Sequence, residues 1–160
     1  MTYPSYKIGL IAAAGSAALL AGAWIFQALG YAPCPMCIWQ RYPHGIAIFA
    51  GLAILFGLRH KVVYFIGAVA AATTSGIGLY HTGVERDWWE GPTSCTGTGL
   101  DLSTMSAGDL LSTSGLSNLV MCDQVTWEFL SLSMASWNAV ISFVLAGLWI
   151  IAVLQREGTQ

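Results

Sequence analysis

The first apolar run of the chain, residues 8–29, reads IGLIAAAGSAALLAGAWIFQAL and contains no charged residue. A helix that crosses a bilayer needs about 20 consecutive apolar residues, and this run is long enough. A secretory signal peptide is the competing interpretation, because Lys7 precedes the run. The apolar core of a signal peptide is only about 7–15 residues long, however. The sequence therefore predicts a retained membrane-spanning helix.

The composition of the whole chain agrees with a location in lipid. Of the 160 residues, 56% are hydrophobic and 9% are charged, whereas a soluble domain carries about 25% charged residues. The length fits a single domain, residues 1–160. The net charge of −2 says little about partners, but the absence of a basic cluster in the sequence argues against nucleic acid.

Three more apolar runs follow, at about residues 42–58, 62–80 and 134–154. A long polar segment, residues 82–133, separates the last two. Within the runs, glycines stand four residues from an alanine at Gly22, Gly51, Gly67 and Gly76. Small residues at this spacing let membrane helices approach closely. The sequence predicts an all-α membrane protein, a four-transmembrane-helix bundle with a long periplasmic loop between helices 3 and 4.

The basic residues predict the orientation of this bundle. Cytoplasmic loops of membrane proteins carry an excess of Lys and Arg. With four spans, both termini share one side, which receives Lys7, Arg59, Lys61 and Arg156. The other side receives only Arg41 and Arg86. We therefore expect cytoplasmic termini, with all four cysteines on the opposite side of the membrane.

A Cys-x-x-Cys pair, Cys34 and Cys37, follows the first run, and Arg41 stands four residues further on. Such a pair can close a disulfide, exchange with another disulfide, or bind zinc together with Cys95 and Cys122. Zinc is disfavoured because Cys95 and Cys122 do not form a second Cys-x-x-Cys pair. Exchange is favoured because a helix start and a nearby guanidinium both stabilise a thiolate. Taken alone, Arg41 would be an ordinary interfacial arginine.

The other two cysteines, Cys95 and Cys122, both lie in the long polar segment. A structural disulfide that staples this loop is one interpretation, and it would contribute about 3–4 kcal/mol. A catalytic disulfide that moves with the loop is the other. The two interpretations stay open on the residues alone.

Two redox disulfides in one membrane protein need a final electron acceptor. The sequence has no glycine-rich loop of the kind that cradles the phosphates of a flavin or nicotinamide cofactor. We therefore expect a lipid-soluble quinone. Arg41 and Cys37 are candidates for contact with its ring and oxygens, and His81 could supply a hydrogen bond or simply be a polar residue at a helix end.

The motifs around these residues resemble those of the disulfide bond formation protein B (DsbB) family. Three segments carry the resemblance: PCPMCIWQRYPH at residues 33–44, LYH at residues 79–81, and Cys122-Asp123 with WEFLSLS at residues 127–133 and Trp137. Gln40 stands where some members have an acidic residue, and Ser131 where glycine is common. Neither departure removes a reacting sulfur.

The resemblance implies an enzyme of the bacterial inner membrane that reoxidises a periplasmic thioredoxin-like protein of the DsbA type. The partner would attack Cys95 of a Cys95–Cys122 disulfide, and the released Cys122 would attack Cys34. Cys37 would then reduce ubiquinone or menaquinone, assisted by Arg41. A vitamin K epoxide reductase homologue is an alternative, disfavoured because that family has its Cys-x-x-Cys near a later helix end. A non-enzymatic membrane scaffold with a stapled loop is another.

Overall fold

The computed structural model describes residues 4–92 and 121–157. It contains four long helices and one short hairpin, namely α1 (Ser5–Ala28), α2 (Pro35–Leu55), α3 (Lys61–Glu85), β1 (Glu128–Phe129), β2 (Leu132–Ser133) and α4 (Met134–Glu157). Apart from the hairpin, the regular structure of these residues is helical, as predicted. Cys95 lies outside the described residues.

The helices form a bundle in which each packs against two neighbours, in the cyclic order α1, α2, α3 and α4. Within the described chain, α1, α3 and α4 are long and apolar enough to cross a membrane. The remaining helix, α2, is less apolar because its first turns carry Gln40, Arg41 and His44. The prediction of a fourth span through α2 therefore stays a prediction.

Helices α2 and α3 both reach further towards the cysteines than the apolar runs indicated. Helix α2 begins at Pro35, where the missing N–H of proline costs nothing. Helix α3 continues past the predicted end at residue 80 to Glu85. The added turn of α3 is mostly polar in sequence and yet buried, and the added turns of α2 are cut off from its apolar run by Gln40 and Arg41. The loop predicted at residues 82–133 therefore begins later than expected.

The end of the bundle remote from the cysteines is an apolar core. Its largest members, Ile54, Tyr64 and Trp149, are fully buried. A Cβ atom on Gly67 would lie 2.6 Å from the Trp149 ring, so only glycine fits there without a shift of the ring. This core holds α2, α3 and α4 together through close packing.

The predicted packing glycines do not all serve that purpose. A Cβ on Gly51 would lie 2.2 Å from the Cβ of Ala13, so α1 and α2 approach closely at this point. Gly22 and Gly76 have no atom within 4 Å of an added Cβ. Close approach of the helices therefore explains Gly51 and Gly67, but neither Gly22 nor Gly76.

The β-hairpin immediately precedes α4 and pairs Glu128 with Ser133. Its two connecting residues, Leu130 and Ser131, have φ angles of 52° and 60°. Positive φ at both central positions is the requirement of a type I′ turn. Glycine adopts this conformation without steric cost, which is a physical reason for a glycine at the position of Ser131.

Candidate redox site

Cys34 and Cys37, here called the redox pair, lie at the start of α2. Cys34 is the N-cap residue and is buried, whereas Cys37 is in the first turn and is half-buried. Their sulfur atoms lie 2.9 Å apart, and the backbone N–H of Cys37 donates to Cys34 Sγ at 3.2 Å. The helix start therefore holds the two sulfurs close enough to form a disulfide after a small movement.

The redox pair meets residues from two other parts of the chain. His81 on α3 places Nε2 at 3.5 Å from Cys34 Sγ and also interacts with the backbone of Cys122. Cys122 is fully buried and packs in one cluster with Cys34. The structure therefore brings together four of the predicted site residues: Cys34, Cys37, His81 and Cys122.

The groups around Cys34 change the pKa of its thiol. Hydrogen bonds to Cys122 and Cys37, together with burial, raise the pKa of the Cys34 thiol. The backbone N–H of Cys37 acts in the opposite direction because it stabilises a thiolate. Cys34 consequently holds its proton more tightly than an ordinary cysteine while all three thiols are reduced.

The same geometry has the donors of a metal site. The ligand atoms of Cys34, Cys37 and His81 lie within 4.8 Å of one another. Two thiolates and an imidazole are ligands that zinc accepts. The predicted absence of a resident metal therefore stays a prediction, and zinc content is its test.

An apolar cavity of about 440 Å³ opens beside the redox pair. Pockets for small molecules occupy about 300–1,000 Å³ and combine apolar walls with a few polar groups. Both Cys34 and Cys37 line the cavity, as does Arg41. Aromatic side chains form much of the wall: Phe26, Tyr31, Trp127, Phe129 and Trp137.

Arg41 is the cationic group of this cavity. Its Nη1 donates to Gln27 Oε1 at 2.7 Å, while its buried Nε has no hydrogen-bond partner among the described residues. A donor left over in a cavity wall fits a ligand that brings an oxygen atom. The lining therefore fits a quinone, whose ring suits the aromatic wall and whose oxygens suit the guanidinium. His81 is not among the residues that line the cavity.

Sequence reasoning missed Glu85. Its carboxylate is 7% exposed, accepts a hydrogen bond from the Ser133 hydroxyl and lies 3.8 Å from His81 Nε2. Glu85 also lines the cavity. A buried ionisable side chain beside a cavity is a functional candidate. The sequence does place an acidic residue four positions after His81, which is one helical turn. Because the predicted helix ends at residue 80, the sequence analysis does not place the two residues on one helix face.

A second missed feature is a buried polar network between α2, α3 and α4. It consists of Gln40, His44, Thr74, Asn138 and Ser142 and is here called the amide network. Gln40 also contacts His81, so the network reaches the redox pair. Polar residues inside apolar runs were its only sequence signal.

Comparison with known proteins identifies the family. The family model described as "Disulfide bond formation protein DsbB" matches residues 6–152. The chain belongs to the DsbB family. The resemblance inferred from the motifs is thus confirmed, and the vitamin K epoxide reductase alternative is set aside. The chain is a membrane protein of disulfide bond formation.

Individual DsbB relatives match nearly the whole chain. "Disulfide bond formation protein B" of Acidovorax sp. (strain JS42) is 33% identical over 166 residues, which cover 98% of this chain and 91% of the relative. The protein of the same name from Xanthomonas oryzae pv. oryzae (strain MAFF 311018) is 34% identical over 154 residues, with 92% and 87% covered. No solved structure matches.

Proposed function

We propose that this chain is a quinone-dependent protein disulfide oxidoreductase of the bacterial inner membrane. It reoxidises a periplasmic thioredoxin-like dithiol protein of the DsbA type and passes the electrons to ubiquinone or menaquinone. One observation carries the proposal: Cys34 packs against Cys122 on one side, while Cys34 and Cys37 line an apolar cavity on the other. This arrangement supports transfer of electrons from a loop thiol through the redox pair to an apolar acceptor.

The proposal includes a single domain, residues 1–160, with four spans and both termini in the cytoplasm. Its fourth span is α2, which packs between the candidate spans α1 and α3. The polar residues of α2 support this placement, because Gln40 and His44 are buried inside the bundle. Phe49 and Ile46, by contrast, are exposed and suit contact with lipid. The cysteines then face the periplasm.

Electrons enter the proposed path at Cys95. A thiolate of the partner attacks Cys95 Sγ, which forms a mixed disulfide and releases Cys122 as a thiolate. Cys122 then attacks Cys34 Sγ, so that a Cys34–Cys122 bond forms, the Cys34–Cys37 bond breaks and Cys37 leaves as a thiolate. The packing of Cys122 against Cys34 supports this second exchange.

Cys37 and Arg41 serve the acceptor side. A quinone bound in the cavity supplies an acceptor for two electrons and two protons. Arg41 holds one of its oxygens through the guanidinium, and half-buried Cys37 presents its sulfur to the cavity. His81 does not line the cavity, so it acts on the ligand through the residues that it contacts, namely Cys34, Gln40 and Glu85.

The experiment that tests the proposal combines detergent-purified protein, a reduced DsbA-type partner and a quinone. We expect quinone reduction, followed by its absorbance, to require both the partner and the cysteines. An absence of cysteine-dependent quinone reduction would remove the proposal.

The scaffold alternative predicts a different thiol pattern. A scaffold keeps each disulfide fixed, so alkylation mapping would give the same modified cysteines with and without the reduced partner. We expect instead that the partner exposes new thiols within the redox pair.

A further inference from the structure

The amide network ends on the ring of His81, and this contact has a defined direction. Gln40 Nε2 lies 3.0 Å from His81 Nδ1, and Gln40 Oε1 lies 2.6 Å from Asn138 Nδ2. Which end of an amide carries the oxygen is inferred from its hydrogen-bond partners. The partners of Gln40 and Asn138 therefore determine whether His81 Nδ1 receives a proton or donates one.

A backbone carbonyl fixes the orientation of Gln40, because a carbonyl can only accept. The Met36 carbonyl lies 3.3 Å from Gln40 Nε2 and accepts a hydrogen bond from it. In the reversed orientation, Gln40 Oε1 would face the Met36 oxygen, and two acceptors would oppose each other. Gln40 Nε2 is therefore the donor to His81 Nδ1.

A second backbone carbonyl, that of Gln40, fixes the orientation of the Asn138 amide. The Thr74 hydroxyl donates to the backbone carbonyl of Gln40 at 3.1 Å, so its oxygen is left as an acceptor. Asn138 Nδ2 lies 3.3 Å from that oxygen and donates to it as well as to Gln40 Oε1. Asn138 therefore donates to Gln40, and Gln40 in turn donates to His81.

The consequence falls on the other nitrogen of His81. A neutral imidazole has one N–H, and Nδ1 must accept from Gln40, so the proton is on Nε2. Cys34 Sγ lies 3.5 Å and Glu85 Oε1 lies 3.8 Å from Nε2, and the ring also interacts with the backbone of Cys122. The ring therefore faces the Cys34 sulfur as a hydrogen-bond donor.

We propose that Gln40, held by Asn138, is a positioning residue that fixes the His81 proton on Nε2, so that His81 donates to Cys34 Sγ and stabilises the reduced redox pair. Its effect on electron flow rests on the proposed function. A pair whose reduced form is stabilised has a higher reduction potential and is a stronger oxidant of Cys122. The network sets how readily the redox pair takes electrons.

Nitrogen-15 NMR of histidine-labelled protein in detergent micelles reads the tautomer directly. The chain has three histidines, and loss of a signal in a His81→Gln variant assigns the one of interest. We expect the proton on Nε2 in the unaltered chain. A proton on Nδ1 of His81 would overturn the inference, even if the protein reduces quinone normally.

The reduction potential provides the second readout. Replacing Cys95 and Cys122 by Ala leaves only Cys34 and Cys37 able to pair. In glutathione buffers, two glutathione thiols then reduce the Cys34–Cys37 disulfide and leave as one glutathione disulfide. Because Cys34 holds its proton, the bond from His81 joins neutral groups, and its loss in Gln40→Met should lower the equilibrium constant about fivefold. For this two-electron couple, fivefold corresponds to about 20 mV.

Two further variants separate positioning from packing. Asn138→Leu removes the donor that holds Gln40 Oε1 but leaves the Met36 contact, so we expect a smaller decrease of the same sign. Ser142→Ala removes a donor to Asn138 Oδ1 at 3.3 Å without changing the partners of Gln40, and we expect an unchanged equilibrium constant. An unchanged value in Gln40→Met, or an equal loss in Ser142→Ala, would contradict the inference. Neither readout requires quinone, so this failure is distinct from failure of the proposed function.

Discussion

The two ends of the helix bundle are held together by different interactions. At the end remote from the cysteines, Tyr64 and Trp149 fill an apolar core, and their buried OH and Nε1 atoms have no hydrogen-bond partner within residues 4–92 and 121–157. At the cysteine end, buried Gln40 and half-buried Asn138 are hydrogen-bonded across α2, α3 and α4. Packing is the rule at one end and directed polar contact at the other.

These two kinds of contact have different consequences for stability and for redox chemistry. Close packing tolerates small rotations of a side chain, but it gives no preference for one protonation site over another. A hydrogen-bonded amide fixes which atom of its neighbour accepts, and His81 is the neighbour in question. We therefore expect substitutions at the cysteine end to change redox behaviour, and substitutions in the apolar core to change the free energy of unfolding.

The largest expected effect is at the redox pair itself. Cys34→Ser or Cys37→Ser should reduce quinone reduction to the rate without protein, because no disulfide remains to receive electrons from Cys122. Cys95→Ser should mainly stop trapping of the partner as a mixed disulfide. These rates are measured with reduced partner and quinone. Full-rate partner oxidation by Cys95→Ser would show that electrons enter elsewhere.

The next effect is at the cavity. Arg41→Met should weaken quinone binding about tenfold to a hundredfold, since a hydrogen bond to a charged group contributes about 1.5–3 kcal/mol. The KM for quinone measures this change. Arg86→Met is the matched control, because Arg86 donates to the Ser131 carbonyl and does not line the cavity. Equal KM values for the two variants would argue against a quinone at Arg41.

A third substitution tests the opposite end of the bundle. Gly67→Ala should lower the free energy of unfolding by about 1–3 kcal/mol, because its Cβ would press on the Trp149 ring. Gly76→Ala is the control, since open space surrounds that position. Thermal unfolding in detergent measures both. A change in the potential of the redox pair in Gly67→Ala would show that the two ends are coupled.

The smallest effect is in the hairpin. Ser131→Gly should raise the free energy of unfolding by about 1 kcal/mol, because a left-handed conformation costs a non-glycine residue about 1–2 kcal/mol. Ser133→Gly serves as the contrast, since Ser133 is paired in β2 and donates to Glu85. A loss of stability in Ser131→Gly would contradict the turn assignment.

The sequence predicted the helices and the reacting groups because both have local signals. Apolar runs are contiguous, and Cys34, Cys37 and Arg41 stand within one short motif. The same locality explains the errors at the helix ends. The turn before Glu85 is mostly polar, and its burial is seen only in the folded chain, whereas the turns after Pro35 are separated from the apolar run by Gln40 and Arg41.

The amide network could not be predicted in this way. Gln40 lies 41 residues from His81 and 98 residues from Asn138. Their contact depends on the rotation of α2, α3 and α4 about their axes, which no single segment encodes. From the sequence alone, Gln40 is therefore only a departure from a family pattern.

The most direct test of the account is a disulfide map of the unaltered chain, freed of quinone and mixed with a reduced partner that keeps only its attacking cysteine. The partner thiolate opens the Cys95–Cys122 disulfide, and the released Cys122 opens the Cys34–Cys37 disulfide, so two disulfides give two new ones. Mass spectrometry should find a Cys34–Cys122 link, a link between Cys95 and the partner, and an alkylated Cys37. An alkylated Cys122 beside an intact Cys34–Cys37 disulfide would contradict the proposed transfer between the loop and the redox pair.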